Sequence, residues 1–178
     1  RGDVFSEADS LNGADDNASG CAGVLEIAEA LAKSPPKRSI ICILYTGEEI
    51  GDLGSAYFTE NPPVLLKNIT VNINLDMIGR SITDASGLAP VGASMITPGL
   101  KEIILKVSNK TRDVPLDWAY ADTTRTIFSR SDTYSFHIKK IPTAFFFDGF
   151  YPDYHTSSDD AEKIDYEFLQ KNCQLVYE

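Results

Sequence analysis

Apolar residues recur along this chain in two alternating patterns, one helical and one extended. In residues 19–33, Val24, Leu25, Ala28 and Leu31 have the spacing of an amphipathic helix. The Ser-Pro-Pro sequence that follows is expected to end this helix. Further segments with a helical pattern are 54–61, 98–110 and 164–177.

Three segments have the pattern of β-strands. Residues 38–46 form a continuous apolar run rich in β-branched side chains, which is typical of an interior strand. Residues 69–75 alternate strictly between apolar and polar, and residues 142–147 are a second continuous apolar run. The alternation of helices and strands predicts one α/β domain. We expect a three-layer sandwich with a mostly parallel mixed central sheet covered by helices on both faces.

Composition narrows the possible partners. The chain has 178 residues and a formal net charge of −10. Nucleic acids and anionic membranes require a basic surface, so neither is an expected partner, whereas cation binding or simply an acidic surface fits this charge. No apolar run approaches the roughly 20 residues that span a bilayer, so we expect no membrane insertion in this segment. Cys21, Cys42 and Cys173 lack C-x-x-C spacing and are predicted to be buried free thiols.

Acidic residues and one histidine follow the predicted strands. Glu48 and Glu49 come after the first strand, Asp76 ends the second, and His155 follows the third. The acidic pair 15–16 precedes the first helix. Ligands of open α/β sheets bind beyond the carboxyl ends of the strands, so these side chains are expected to meet at one rim.

Each of these features also has an ordinary structural explanation. Acids before a helix are commonly N-caps, paired glutamates in a loop are commonly solvated, and a histidine in a polar loop commonly lies on the surface. Their convergence is what points to function. Several carboxylates crowded at one rim repel one another unless a cation neutralises them.

Five motifs, in their order and approximate spacing, resemble those of the co-catalytic di-zinc aminopeptidases. The motifs are NGADDNASG, YTGEEIGDLGS, INLDMIGR, SDTYSF and YHTSSDDAEKID. The family includes bacterial leucyl aminopeptidases and glutamate carboxypeptidase, with glutaminyl cyclases as relatives. The resemblance implies a zinc-exopeptidase (phosphorylase/hydrolase-like) fold, with residues 1–178 as a single zinc-peptidase catalytic domain.

The resemblance also implies a metal-ligand set. By motif position, Asp16 matches the aspartate that bridges two zinc ions, and Glu49 matches a ligand of one of them. His155 matches a ligand that shares a metal with Glu49, and Asp76 matches a ligand of the other zinc. Two zinc ions are therefore expected in the complete enzyme.

Further positions are predicted to act on the substrate. Glu48 matches the family's general base, which takes a proton from a metal-activated water and passes it to the departing amine. Tyr154 matches a tyrosine that in some members hydrogen-bonds the carbonyl oxygen under attack. Arg130 and Ser131 are predicted to border a substrate side-chain pocket. Aromatic residues in 145–154 could line this pocket, although core packing explains the AFFF run equally well.

The sequence departs from the family pattern at one ligand. The family has a His-x-Asp motif on a strand upstream of GADDN, but residues 1–15 contain no histidine. The other histidine, His137, lies on the predicted helix after the Ser-Asp motif, where the family has no ligand. Either the chain is a piece of a longer enzyme, incomplete at its N-terminal and C-terminal ends, or it is a natural variant with one complete metal site.

In either case we expect this chain alone to hold at most one tight zinc ion and to have little activity. Missing strands would also leave an unpaired sheet edge, which predicts strand-mediated association.

The favoured function is a zinc metallo-exopeptidase, an aminopeptidase whose substrate is a peptide with a free N-terminus. One alternative is a glutaminyl-cyclase-like transferase that uses a single Asp-Glu-His zinc. Another is a non-catalytic binding domain on the same fold, against which the presence of Glu48, Glu49, Asp76 and His155 argues. Many members of the family are exported, so a secreted or periplasmic location is expected.

Overall fold

Six α-helices and three short strands occur in the part of the chain that the structure describes. This computed structural model describes residues 10–80, 89–91, 98–111, 116 and 125–178. The helices are α1 (Gly20–Lys33), α2 (Leu53–Glu60), α3 (Pro98–Thr111), α4 (Arg125–Phe128), α5 (Thr133–His137) and α6 (Tyr166–Tyr177). The predicted helices in 19–33, 54–61, 98–110 and 164–177 therefore form. None of the described helices is long and apolar enough to cross a membrane.

The three strands form one mixed sheet in the order β1-β3-β2. They are β1 (Asn72–Leu75), β2 (Ala89–Val91) and β3 (Thr143–Phe147). Strand β1 is parallel to β3, and β2 is antiparallel to β3. The α/β class and the mixed sheet are as predicted, although β1 is shorter than residues 69–75 and β2 was not predicted.

Strand β3 is buried on both faces, which is why its sequence is continuously apolar. Ala144 and Phe146 pack with Leu75 in one cluster, whereas Phe145 and Phe147 pack in a second cluster. The first cluster also contains Ile78, Ile104 and Leu175, with Val24, Ile27 and Cys173 against it. The second cluster contains Met77, Phe128 and Tyr151. Full burial of each large apolar side chain contributes roughly 1.5–3 kcal/mol, so this strand anchors the rim above it.

Helix α1 lies close to the core because a glycine faces it. A Cβ atom at Gly23 would lie 3.0 Å from Ile78 Cδ1 and 3.2 Å from Cys173 Sγ. This contact joins α1 to α6 and to the segment after β1. The start of α1, where the acidic pair lies, is thereby held next to the end of β1.

The predicted interior strand at 38–46 is wrong for this structure. The segment forms no β-ladder with any described strand, and Ile40, Ile41 and Leu44 are 55%, 47% and 50% exposed. The free edge of β1 is also apolar and exposed at Ile73. An interior strand needs a hydrogen-bonded neighbour on each side, and the described residues supply none to this segment.

A cavity of about 1150 Å³ separates this segment from β1. We call it the apolar slot; its lining includes Ile40, Cys42, Leu44, Val71 and Ile73. Cys42, which was predicted to be buried, is exposed here, while Cys21 and Cys173 are partly buried; all three are free thiols. Strand-mediated association through this region stays a prediction.

Candidate metal centre

Three side chains from distant segments meet at the rim of the sheet. His155 Nε2 lies 3.1 Å from Asp16 Oδ2 and 3.0 Å from Glu49 Oε1. One ligand atom from each residue lies within 4.8 Å of the other two, and this is the group of possible metal ligands found among the described residues. Asp16 is in the irregular turn Ala14–Ser19 before α1, whereas His155 is in the loop after β3. The structure thus brings together the three residues that the sequence placed on one metal.

The backbone of His155 adopts a conformation that directs its ring into this cluster. Its φ is +57°, in the left-handed region that non-glycine residues rarely occupy. The ring stacks on that of Tyr154, with centroids 3.8 Å apart and an interplanar angle of 24°. Such strain persists only where surrounding contacts enforce it, which is common at functional sites.

The two adjacent glutamates lie in a tight turn before α2. The backbone N–H groups of Gly51 and Asp52 both donate to the Glu48 carbonyl at 2.9 Å. A Cβ atom at Gly54 would lie 2.8 Å from the backbone of Thr46, so only glycine allows this close approach. The turn leaves Glu48 partly buried and Glu49 exposed. Two neighbouring carboxylates are therefore available for different roles.

Asp76 lies beside this group but outside the three-ligand cluster. It follows β1 and accepts a hydrogen bond from Ser131 Oγ at 3.0 Å, while Asn74 Nδ2 donates to the same hydroxyl at 2.7 Å. Ser131 is 1% exposed. The prediction that Ser131 borders a substrate pocket is therefore wrong: its hydroxyl orients Asp76.

The acidic side chains at the rim have raised pKa values, because they are buried and lie close to one another. Burial, followed by repulsion from Glu49, raises the pKa of Asp16 to about 6. Burial, followed by repulsion from Asp16, raises the pKa of Asp76 to about 7. Burial, followed by repulsion from Asp76, raises the pKa of Glu48 to about 8. A divalent cation would remove these penalties, because opposite charge favours the ionised form.

The donor set fits zinc. Two carboxylates and an imidazole supply the oxygen and nitrogen ligands found in catalytic zinc sites, which typically have three protein ligands. Glu48 and Asp76 lie nearby but add no fourth atom to the cluster. Asp16, Glu49 and His155 would therefore hold one ion.

Tyr154 and Arg130 form the side of the site. Arg130 Nη2 donates to the Tyr154 hydroxyl at 3.4 Å, and the ring of Phe150 lies 5.0 Å from that of Tyr154. Burial, followed by the Asp16 charge, raises the pKa of Tyr154 to about 12, so its hydroxyl remains a donor at neutral pH. Phe145 and Phe147 lie in the core instead. Core packing, rather than a substrate pocket, therefore explains these two aromatic residues of the AFFF run.

Asn17 was not predicted as a functional residue, yet it joins two parts of the site. Its Nδ2 donates to the Leu75 carbonyl at 3.0 Å, and its Oδ1 accepts from Met77 N at 3.1 Å. These bonds tie the turn that carries Asp16 to the strand end that carries Asp76. The only signal in the sequence was the asparagine's place directly after the acidic pair.

Only one member of the acidic pair faces the cluster. Asp15 is fully buried, where its Oδ1 accepts from Gly79 N at 2.7 Å and its Oδ2 from the Tyr151 hydroxyl at 2.6 Å. Burial raises the pKa of Asp15, while the Tyr151 hydrogen bond lowers it. Asp15 therefore supports the fold beneath the site.

Asp148 is a second buried acid below the site, and we expect Asp148→Asn to stabilise the protein at neutral pH. Its Oδ2 accepts from Arg80 N at 2.6 Å, but its buried Oδ1 accepts no hydrogen bond from the described residues. Burial, then the Asp15 charge, raises the pKa of Asp148 well above its ordinary value. The unfolded chain therefore ionises first as the pH rises above about 4, and folding stability is lost towards the folded-state pKa.

Asparagine cannot ionise and can donate from the position of Oδ1. The variant is expected to gain about 0.5–2 kcal/mol in free energy of unfolding at pH 7, and the gain should vanish below about pH 4. Urea unfolding at both pH values measures it. Asp153→Asn is the contrasting control: hydrogen bonds from Lys163 and other donors lower the pKa of Asp153, so its replacement should destabilise at neutral pH. A loss of stability in the Asp148 variant at pH 7 would contradict this expectation.

The chain is similar to proteins of known family and structure. Residues 3–178 match peptidase family M28. The chain is 33% identical over 180 residues to aminopeptidase YwaD of Bacillus subtilis, covering 92% of this chain and 36% of that protein. It is similar to the solved structure of a zinc aminopeptidase from Bacillus subtilis, with a TM-score of 0.80, 31% identity, and coverage of 94% of this chain and 41% of that one.

A glutaminyl cyclase from Bacteroides thetaiotaomicron also has a similar structure. Its TM-score is 0.69 at 26% identity, covering 94% of this chain and 62% of that one. The chain therefore spans less than two thirds of the length of each of these relatives.

Proposed function

The chain belongs to peptidase family M28, and on this premise we propose that it carries a zinc-dependent aminopeptidase site. The reaction is hydrolysis of the N-terminal residue from a peptide. The observation that carries the proposal is the meeting of Asp16, Glu49 and His155 at one point, 3.0–3.1 Å from the imidazole nitrogen to the two carboxylates.

One zinc ion fits the three-ligand cluster of Asp16, Glu49 and His155. When bound, zinc acts as a Lewis acid that lowers the pKa of water towards about 7 and polarises a carbonyl group. A second ion would have to use Asp16 and Asp76, and the described residues supply no histidine to complete that pair. We therefore keep the expectation of one tight ion in this chain.

Glu48 is the proposed proton carrier. It is next to a ligand in sequence, but it is partly buried whereas Glu49 is exposed, and it lies outside the three-ligand cluster. Its surroundings already favour the protonated form, since burial and Asp76 raise its pKa. Such a carboxyl can take a proton from the attacking water and return it to the leaving amine, because both forms are accessible near neutral pH.

The remaining residues of the rim would bind the substrate. Asp76 and Glu48 belong to an acidic rim that would receive the free ammonium of a peptide N-terminus, and pairing with that positive charge would favour their ionised forms. The Tyr154 hydroxyl, which accepts a hydrogen bond from Arg130, would donate to the scissile carbonyl oxygen. Together these groups orient the first peptide bond.

The second candidate function is glutaminyl cyclisation. It is favoured by the similarity to the Bacteroides glutaminyl cyclase and by the single Asp-Glu-His cluster. The two activities differ in substrate, because only the peptidase cleaves an aminoacyl nitroanilide that has a free amine.

The test uses the chain loaded with one equivalent of zinc. We expect slow release of nitroaniline from a leucyl substrate, stopped by a chelator and absent with the N-acetylated substrate. A zinc-binding chain that releases no nitroaniline above the chelated control would contradict the proposal. Cyclisation of a glutaminyl peptide without such release would assign the alternative function instead.

A further inference from the structure

A buried carboxylate joins the two loops that carry two of the proposed ligands. Asp159 is 2% exposed and lies four residues after His155. Its Oδ1 and Oδ2 accept from Asp15 N at 3.1 and 3.0 Å, and its Oδ2 also accepts from Asp16 N at 3.0 Å. Its backbone carbonyl accepts from Ala14 N at 3.1 Å. The turn that presents Asp16 is therefore bonded along three successive residues to the loop of His155.

The loop of His155 is itself fixed by charged groups. Arg80 Nη2 is 3.0 Å from Asp153 Oδ2, and Arg80 Nη1 is 4.0 Å from Asp159 Oδ1. Lys163 Nζ donates to Asp153 Oδ1 at 2.7 Å. Arg80 thus lies against the carboxylates of both Asp153 and Asp159. Neither end of the loop can move without breaking an ion pair or a hydrogen bond.

We propose that Asp159 is a positioning residue for the metal centre, because its carboxylate holds the backbone of Asp16 at a set distance from His155. The inference rests on the proposed zinc site. Asp159 does not belong to the three-ligand cluster. It acts through the main chain of Asp15 and Asp16, so its effect is on where the ligand lies.

The side chain of Asp159 supplies the acceptors for the backbone amides Asp15 N and Asp16 N, at 3.0–3.1 Å. Without these bonds, the backbone N–H groups of Asp15 and Asp16 would need another acceptor. Loss of outer partners of metal ligands typically lowers metal affinity by about 10–100-fold.

The test compares zinc affinity in four folded proteins: the wild type, Asp159→Asn, Asp159→Ala and the control Asp160→Asn. Asp160 is the neighbouring acid, and its carboxylate accepts from Asn12 Nδ2 rather than from the Asp16 turn. Affinity is measured by competition with a chromophoric chelator. The visible spectrum of the cobalt(II)-loaded chain and the unfolding midpoint of the zinc-stripped chain are recorded for each variant.

We expect zinc affinity to fall by about 10-fold in Asp159→Asn and about 100-fold in Asp159→Ala, with Asp160→Asn within about twofold of the wild type. The cobalt spectrum should shift in the Asp159 variants. If the alanine variant does not fold, the asparagine variant decides. Affinity within twofold of the wild type in a folded Asp159→Asn, or an unshifted cobalt spectrum, would overturn the inference.

Two other results would distinguish a purely structural role of Asp159 from a failure of the proposed zinc site. A lower unfolding midpoint with unchanged zinc affinity would show that Asp159 supports only the fold, which also overturns the positioning role. A wild-type chain that binds no zinc would remove the proposed function, together with this inference.

Discussion

Replacing Glu48 by glutamine is expected to lower zinc-dependent cleavage of a leucyl nitroanilide by about 10²–10⁴-fold, the range that a positioned proton carrier supplies. Glutamine keeps the size of the side chain but cannot accept the proton of the attacking water. Because Glu48 is not one of the three clustered ligands, zinc affinity should stay within about twofold of the wild type. Initial rates and zinc affinity are measured on the same zinc-loaded preparation.

The control for this variant is Glu26→Gln, at an exposed position of α1 far along the chain from the turn. It should leave rate and affinity unchanged. Full activity in Glu48→Gln would contradict the assigned role. A parallel loss of zinc and of activity would instead make Glu48 a ligand.

Replacing His155 by alanine is expected to have the largest effect on zinc binding. If the ligands of a small zinc site share its roughly 10–16 kcal/mol of apparent binding free energy, loss of one of three costs about 3–5 kcal/mol, or about 10²–10⁴-fold in affinity. Zinc in hundredfold excess over its Kd should stabilise the wild type by about 2.7 kcal/mol. The variant should lose this stabilisation, as measured by thermal unfolding with and without zinc.

His137 provides the matched control, because it is the other histidine of the chain. Its ring packs 4.9 Å from that of Phe128, and it is outside the three-ligand cluster. His137→Gln should therefore change zinc affinity by less than about threefold, whatever it does to stability. Equal losses in the two histidine variants would contradict the assignment of His155.

Much of the fold could be predicted because the responsible signals are local. The spacing of Val24, Leu25, Ala28 and Leu31 marks α1, and the continuous apolar run of β3 reflects burial on both faces. The same reasoning failed at 38–46, because an apolar run does not show whether paired neighbours exist on both sides. Strand β2 was missed because three residues are too few to show a period.

The candidate site was predictable only in part. The acidic pair and His155 could be expected at one rim because they precede α1 and follow β3, but the choice of Asp16, Glu49 and His155 as ligands of one metal was implied by the family resemblance. The bonds that Asn17 and Ser131 make could not be predicted, and Ser131 was expected at a substrate pocket instead, since each bonds a partner that only the folded chain brings near. The sequence pattern shows which residues can bind a cation, but not which residues hold them in place.

The most direct measurement is a crystal structure of the zinc-loaded chain, with anomalous diffraction recorded on both sides of the zinc absorption edge. We expect one strong peak per chain, about 2.0–2.2 Å from an oxygen of Asp16, an oxygen of Glu49 and a nitrogen of His155. A peak held by other residues, or no peak in crystals that contain zinc, would contradict it.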